Sequence, residues 1–524
     1  MKRFLKSKIL RYSLYLLAVL PIFIFRDFTL DNELRYLSIA DEALRNGSIF
    51  TFTNHGIIYA DKPPLYLWIV MAGKLLFGTH NLLFLGMFSF IPALVVISIM
   101  DQWVKDILSE NERLAGELML LTSSFFIGTA LVLRMDMLMC MFIVLSLYTF
   151  FRMYNGTANP RPRLLGVLFP VFVFMALFSK GPIGIIVPLV STIVFLYLKK
   201  DLQSIGKYWG WKTLVILLAL CGIWFAGVYA EAGSQYLSNL LFNQTVHRAV
   251  NSFHHKEPFY YYFATIWYSL APWSLLYIGI LVLGIKMKLV STDLELFFLV
   301  IALSTWVTLS LFSSKLAVYM LPVFPFVVYL SVLWFNRISL PRWVFFLVII
   351  PAIMLCLVLP GLMLSPYFGL TSSPFILVAG LFLSLTGIIA IKALSQRQLN
   401  RGIITMGIGI LLSVFTVSFA IPQYNFLIGL HELCDQAKNI SSRNGVANYY
   451  YCKFDRAENL DIYLGVQPQK LKINDLFELN SPLKRPAVLF LWDKAIDRSD
   501  SLQRFIQGKK IIKSGNYYCV ELDI

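Results

Sequence analysis

Between residues 12 and 421 the chain repeats one pattern: a long apolar run, then a short and mostly basic connection. A run of roughly 20 apolar residues matches a hydrocarbon core about 30 Å thick, so each is predicted to be a spanning helix. The spans fall near residues 12–26, 81–101, 116–133, 137–152, 164–179, 182–198, 213–232, 263–285, 293–312, 316–335, 344–364, 374–394 and 403–421, about thirteen in all. The ten-residue alternation of an outer-membrane barrel is missing, so the spanning elements should be helices whose backbones are satisfied internally.

Two longer polar stretches, residues 27–80 and 233–262, interrupt the series. In the first, Leu34, Leu37, Ala40 and Leu44 recur at helical spacing up to a stop at Gly47. A second such pattern, Leu65, Trp68, Ile69 and Leu76, runs from Pro64 to Gly78. Both are short for a span, and they predict amphipathic helices lying in the membrane interface. From Tyr424 the pattern becomes that of a soluble α/β domain. A helix through Arg443 precedes strands at 447–452, 470–473, 488–492, 510–513 and 517–522, with helical turns around 458–464 and 499–506. The chain is therefore expected to be a polytopic α-helical membrane protein, residues 1–421, followed by an outer α/β domain, residues 422–524. The DRSD stretch at 497–500 reads as a polar helix start rather than a metal motif.

Composition narrows the class. Of 524 residues 58% are hydrophobic and 14% charged, against about 25% charged in a soluble domain, which excludes a soluble enzyme. The net charge of +16 does not point to nucleic acid, because its excess lies between the apolar runs. From Pro422 onward 14 basic and 12 acidic residues nearly cancel. With the Lys2, Arg3, Lys6, Lys8 and Arg11 cluster inside, most of the remaining cations fall on the cytoplasmic side, which puts the N-terminus in the cytoplasm and the C-terminal domain in a bacterial periplasm. The first run, 14–25, enters a charged loop with no small-residue cleavage site and reads as a span rather than a signal. Cys140, Cys221 and Cys356 fall in spans; Cys434, Cys452 and Cys519 fall in the outer domain, where one disulfide and one free thiol is an available arrangement.

The candidate chemistry clusters at outer helix ends. LDNELRY places Asp31 and Glu33 at the head of the first loop, either as a general base and its neighbour or as a cap and a dipole partner of the following helix. YADKPPLYLW sets Asp61 and Lys62 before an interfacial helix, where an ammonium can meet a lipid phosphate or snorkel. Arg134 and Asp136, in LRMDML, lie in a short outer turn; two residues apart they share no helix face, which argues against an ion pair along a helix. Lys180, in SKGPIG, is a cation at a similar turn. The second loop, FNQTVHRAVNSFHHKEPFYYYF, offers Arg248 and Lys256 to a phosphate and His247, His254 and His255 to protons. It has no recognised metal spacing, so a divalent metal ion would need ligands from different loops, for example Asp61 and His255. Lys315 and Tyr319, in FSSKLAVYMLPVFPF, share a helix face and together suit a phosphate, or else an anchor and an aromatic belt.

In their order and spacing, DNELRY, YADKPPLYLW, RMD, KGPIG, HRAVNSFHHKEPFYYY and KLAVYMLPVFP resemble the C-type-fold membrane glycosyltransferases. The resemblance is to the bacterial aminoarabinose transferases that modify lipid A and to the polyprenyl-phosphate-mannose protein mannosyltransferases, and it covers most of residues 27–335. It implies thirteen spans, two in-plane helices and an outer C-terminal domain in the bacterial inner membrane. It implies further a catalytic acid in the first loop and a lipid phosphate held by Lys62, Arg248 and Tyr319. The chain departs from the family in one place: Asn32 stands where the family has its aspartate, so that either Asp31, shifted by one, or Glu33 carries the role.

The implied reaction is an inverting transfer of a sugar from a polyprenyl-phosphate (undecaprenyl-phosphate) donor to lipid A or lipopolysaccharide, another glycan or a protein. Asp136 joins the acids, and Arg134, Lys180 and Lys315 join the phosphate cations, on their outer-turn positions. Such chemistry requires no organic cofactor, in keeping with a chain that carries no nucleotide-binding glycine motif. A transporter or lipid flippase is the competing reading, but it expects ionisable groups near mid-membrane and repeated halves. A membrane sensor with an outer domain is a third.

Overall fold

The computed structural model describes residues 7–156, 162–241, 256–368, 372–445, 448–478 and 482–523. Among these, ten helices are long and apolar enough to cross a membrane, from Lys8–Phe25 to Leu399–Ser418. Three of the predicted spans are shorter or broken. The run at 116–133 forms two helices, Glu110–Leu121 and Ser124–Ala130, because Thr122 and Ser123 turn their hydroxyls back onto Leu118 O and Met119 O, a bond that competes with the helical ladder. The run at 263–285 divides into Tyr261–Ser269 and Ser274–Lys286 around Pro272, which has no N–H to give. The third, Ile183–Leu198, has 16 residues.

Two compact units divide the chain, and they do not follow chain order. One contains residues 1–21, 60–66 and 85–418; the other contains 22–59, 67–84 and 419–524, and so joins most of the first loop to the C-terminal residues.

In the first unit the basic N-terminal segment is paired rather than only solvated. Arg11 holds Glu117 through two bonds, at 3.1 and 2.9 Å, and Tyr15 Oη donates to the same carboxylate at 3.0 Å. Asp101 takes Lys8 and, at 3.2 Å, Arg113. Glu117 and Asp101 are fully buried, and a buried carboxylate persists only when its charge is met in this way.

In the second unit, the helix Arg35–Asn46 ends at Gly47, whose φ of 69° supplies the left-handed C-cap. A two-residue hairpin follows, β1 (Thr53–Asn54) and β2 (Ile57–Ile58). The helix Leu65–Phe77, which enters this unit at Leu67, forms where Pro64 predicts its start. The C-terminal part carries a five-stranded mixed sheet of β3 (Tyr449–Cys452), β4 (Gln469–Leu471), β5 (Ala487–Trp492), β6 (Ile511–Ser514) and β7 (Tyr517–Leu522), in the order β4-β3-β5-β7-β6. β3 runs parallel to β4 and β5, while β7 is antiparallel to β5 and β6. Leu489, Leu491, Val520 and Leu522 alternate onto one face against Leu502 and Phe505, forming the core. The DRSD stretch is a helix start: Ser499 caps Asp500–Ile506 by accepting from Leu502 N. Cys434, Cys452 and Cys519 are free and buried, so the disulfide available from sequence is not formed. Burial pushes their thiols up, to about 11 at Cys452 and about 12 at Cys519.

Candidate active site

In the first unit, cations from separate segments of the chain meet at Lys180. Lys180 closes the helix Pro162–Lys180 and its Nζ binds Asp136 Oδ1, at the first residue of the helix Asp136–Tyr154. The same Nζ sits 4.9 Å from the centroid of the Tyr319 ring, within cation-π range. Arg134 Nε lies 2.9 Å from Asp136 Oδ2. This pair, argued against on helical spacing, forms because Arg134 lies outside the helix that Asp136 opens. Arg134 and Lys62 are both near enough for their charges to act on Lys180. Asp136 is therefore a clamp for two cations, itself fully buried and stabilised by the helix N-terminus.

Local sequence makes this meeting geometrically affordable. Gly181 takes a φ of 103°, which turns the chain directly after Lys180. A side chain at Gly184 would run into the backbone of Ala176 and Leu177, so KGPIG is the sequence of two helices packed backbone to backbone beside the lysine. Lys315 is buried and donates to Glu257 O at 2.8 Å and Phe312 O at 2.5 Å. With the bridge from Lys256 to Ser314, it fastens the end of the second loop to the turn before Tyr319. Tyr319 itself lies in the 3-10 helix Ala317–Val323. His247, Arg248, His254 and His255 lie outside the described residues. Asp61 is half-buried in the turn before Lys62; among the described residues no three His, Cys, Asp or Glu side chains are grouped as a metal site would need.

In the second unit the two first-loop carboxylates have different surroundings. Glu33 is 1% exposed and both its oxygens are taken: Arg26 binds them at 2.7 and 2.9 Å, and Thr29 N donates at 2.7 Å. Asp31 is 80% exposed, with Arg456 Nη1 3.3 Å from its Oδ1. Neither caps the following helix through its side chain in the way the sequence allows. The two residues lie in a π-helical turn, Leu30–Leu34, closed by Leu34 N donating to Thr29 O at 3.1 Å. Such a turn holds one residue more than an α-helical turn. It moves Asp31 toward the angular position that residue 32 would occupy in an uninterrupted α-helix.

Residues not singled out in the sequence complete this unit. Ser38 Oγ donates to Asp461, 2.9 and 3.0 Å from its two oxygens, and lies 3.1 Å from His55 Nε2. Burial holds the Asp461 carboxyl above its ordinary range, against the His55 charge and the Ser38 bond. Glu42 accepts from Thr53 Oγ1 at 2.5 Å and from the backbone of His55 and Gly56 at 2.5 and 2.9 Å. Asp461 lies 423 positions from Ser38, a separation at which no local periodicity gives a signal.

The family model described as dolichyl-phosphate-mannose-protein mannosyltransferase matches residues 61–225. An uncharacterized protein of Aquifex aeolicus is 28% identical over 391 residues, 70% of this chain and 73% of that protein. An undecaprenyl phosphate-alpha-4-amino-4-deoxy-L-arabinose arabinosyl transferase of Shewanella sediminis is 25% identical over 270 residues, 50% of this chain and 47% of its own length. The chain thus spans about half the length of such curated transferases. The crystal structure of ArnT from Cupriavidus metallidurans bound to undecaprenyl phosphate superposes with a TM-score of 0.75 at 16% identity, covering 98% of this chain and 97% of that one. That likeness shows the fold. The chain is a multi-pass membrane protein of the C-type glycosyltransferase fold, and over these stretches it is similar to the aminoarabinose and polyprenyl-phosphate-mannose transferases that its loop motifs resemble.

Proposed function

We propose that this chain is an inverting glycosyltransferase that moves a sugar from a polyprenyl-phosphate donor, undecaprenyl phosphate in a bacterium, to an outer-side acceptor. The observation that carries the reading is the gathering of Lys180 and Arg134 on Asp136, with the Lys180 ammonium over the Tyr319 ring, at outer helix ends of one unit that also contains Lys62. The leaving group is a lipid phosphate monoester. As the bond from the anomeric carbon to the phosphate oxygen breaks, charge grows on the phosphate, and fixed cations oppose that growth without reorganising. Lys315, set in the turn before Tyr319, adds a further cation, and Arg248 is assigned to the same group on its family position.

The incoming acceptor oxygen forms a bond to the anomeric carbon from the opposite face, which inverts it. For a hydroxyl acceptor the proton passes to a carboxylate, and Asp31 is the first-loop acid whose side chain is open to solvent. Glu33 serves the loop instead, through Arg26 and Thr29. Asp136 acts by holding Lys180 and Arg134. A divalent metal ion near Asp61 is an addition that no step here uses. Lipid A, another glycan and a protein all present a suitable nucleophile, and the relatives' names favour an amino sugar carried on undecaprenyl phosphate. On the charge asymmetry between loops, the chain sits in the bacterial inner membrane with its N-terminus in the cytoplasm, and residues 422–524 form a periplasmic domain.

Transport is the weaker reading. Asp136 and Lys180 occupy helix ends and Lys315 a turn between helices, rather than the middle of a span. Titration of the purified chain with undecaprenyl phosphate tests the grip. Losing one charge-assisted hydrogen bond costs about 1.5–3 kcal/mol, so Lys62→Met should weaken binding by about tenfold or more. The paired change Lys180→Met with Asp136→Asn, which removes the buried ammonium together with its carboxylate and leaves only the partly exposed Arg134 without that partner, should do likewise. Unchanged affinity in both variants, with unchanged melting, rules out the phosphate site.

A further inference from the structure

We propose that Arg456 is a positioning residue for the transfer reaction, holding the turn that presents Asp31. The inference rests on the reading of Asp31 as the group that takes the acceptor's proton.

Arg456 Nη1 donates to the backbone carbonyl of Asp31 and lies 3.3 Å from its Oδ1. One guanidinium nitrogen therefore touches both the main chain and the side chain of the residue. That fixes a direction, which a contact to the carboxylate alone would leave free to rotate. The arginine is in turn held from behind. It adopts a φ of 64°, a left-handed conformation uncommon outside glycine. Its carbonyl accepts from Asn459 N and Asn459 Nδ2, both at 3.1 Å, at the start of the turn Ala457–Leu460.

The same connection ends at Asp461, which binds Ser38 in the helix that follows the Asp31 turn. Two bonds from one short segment thus hold the π-helical turn and its helix together. Tyr517, in β7, stacks on Phe454 at 4.6 Å; burial and then the Asp31 charge push its phenol up.

The pair contributes little to stability, since Arg456 is 39% exposed and Asp31 80%, and solvent screens an exposed pair. The turn is stabilised elsewhere, by Glu33 with Arg26 and by Ser38 with Asp461. What Arg456 supplies is orientation. A base must stand within about 3 Å of the proton it takes, and an ångström of misplacement costs on the order of a hundredfold in rate.

The experiment uses the full chain purified in detergent. Donor and acceptor come from membranes of a host strain lacking its gene, and sugar transfer is read by mass spectrometry. Arg456→Ala should lower kcat by about tenfold to a hundredfold. The apparent KM and the affinity for undecaprenyl phosphate should stay within about twofold, and melting should be unchanged. Arg456→Lys, which keeps a donor and the charge, should recover part of the rate. A wild-type rate in Arg456→Ala beside an inactive Asp31→Asn overturns the role of Arg456 alone. A loss of rate matched by a fall in melting temperature overturns it in favour of a structural role. A full rate in Asp31→Asn removes the assignment of Asp31 and this inference with it.

Discussion

Asp31 and Glu33 carry the same charge two positions apart, and their surroundings predict opposite consequences of neutralising them. Glu33→Gln breaks a buried bidentate pair and leaves Arg26 partly desolvated; losing one partner of such a pair costs about 3 kcal/mol or more, so melting should fall markedly. Asp31→Asn removes an exposed charge and should leave melting within about 1 °C, since surface pairs contribute little, while transfer drops at least about a hundredfold with the base gone. Thermal melting and a transfer assay on both variants check this, and the reverse assignment would move the catalytic role to Glu33. Asp136→Asn is the corresponding test in the first unit. It strands the buried Lys180 ammonium, at a cost of about 3–5 kcal/mol. Adding Lys180→Met should recover most of that loss, measured as a melting-temperature cycle. The residue types and outer-turn positions of these groups are legible in the sequence, because ionisable side chains next to apolar runs stand out. Their pairings are not, since Lys180 finds Asp136 across 44 positions.

At the scale of elements, Glu42 joins a helix to the β1-β2 hairpin. Burial raises its carboxyl, but the bonds from Thr53, Gly56 and His55 outweigh that and hold it below its ordinary range. A carboxylate lowered in the folded state contributes stability that is present above its unfolded pKa, about 4.3, and lost as pH falls through the folded value. Amide protection of residues 53–58 should therefore weaken as pH drops below about 4.3, and Glu42→Gln should show the weakened state already at neutral pH. Equal protection in both proteins at both pH values would contradict the role. The helix Arg35–Asn46 and the strands of the C-terminal sheet follow their periodicity closely, since a half-buried helix or strand writes its face into the sequence, whereas in Leu65–Phe77 the buried side chains are Tyr66, Leu67, Val70 and Met71 and Leu76 of the expected face is exposed. The breaks at Thr122 and Ser123 and at Pro272 are harder to read, because an unbroken apolar run hides a bend whose cause is one hydroxyl or one missing donor.

For the whole molecule, length and apolar fraction announce a polytopic membrane protein, and the order of loop motifs leads to the fold that the structure has. The composition of the two units is not announced. Residues 22–59 belong with 419–524 through long-range bonds such as Asn425 to Asp27 and Ser38 to Asp461, which depend on three-dimensional chain paths. The pairing of Arg11 with Glu117 is hidden in the same way, although the basic cluster itself is plain. As a whole, this molecule is proposed to transfer a lipid-linked sugar. Mass spectrometry of polyprenyl-phosphate sugars, lipid A, other glycans and glycoproteins, in the host strain with the gene deleted, tests it most directly. One polyprenyl-phosphate sugar should accumulate while one outer-side acceptor loses that sugar, restored by the wild-type gene but not by Asp31→Asn. Unaltered sugar on every acceptor, or restoration by Asp31→Asn to the wild-type level, would contradict it.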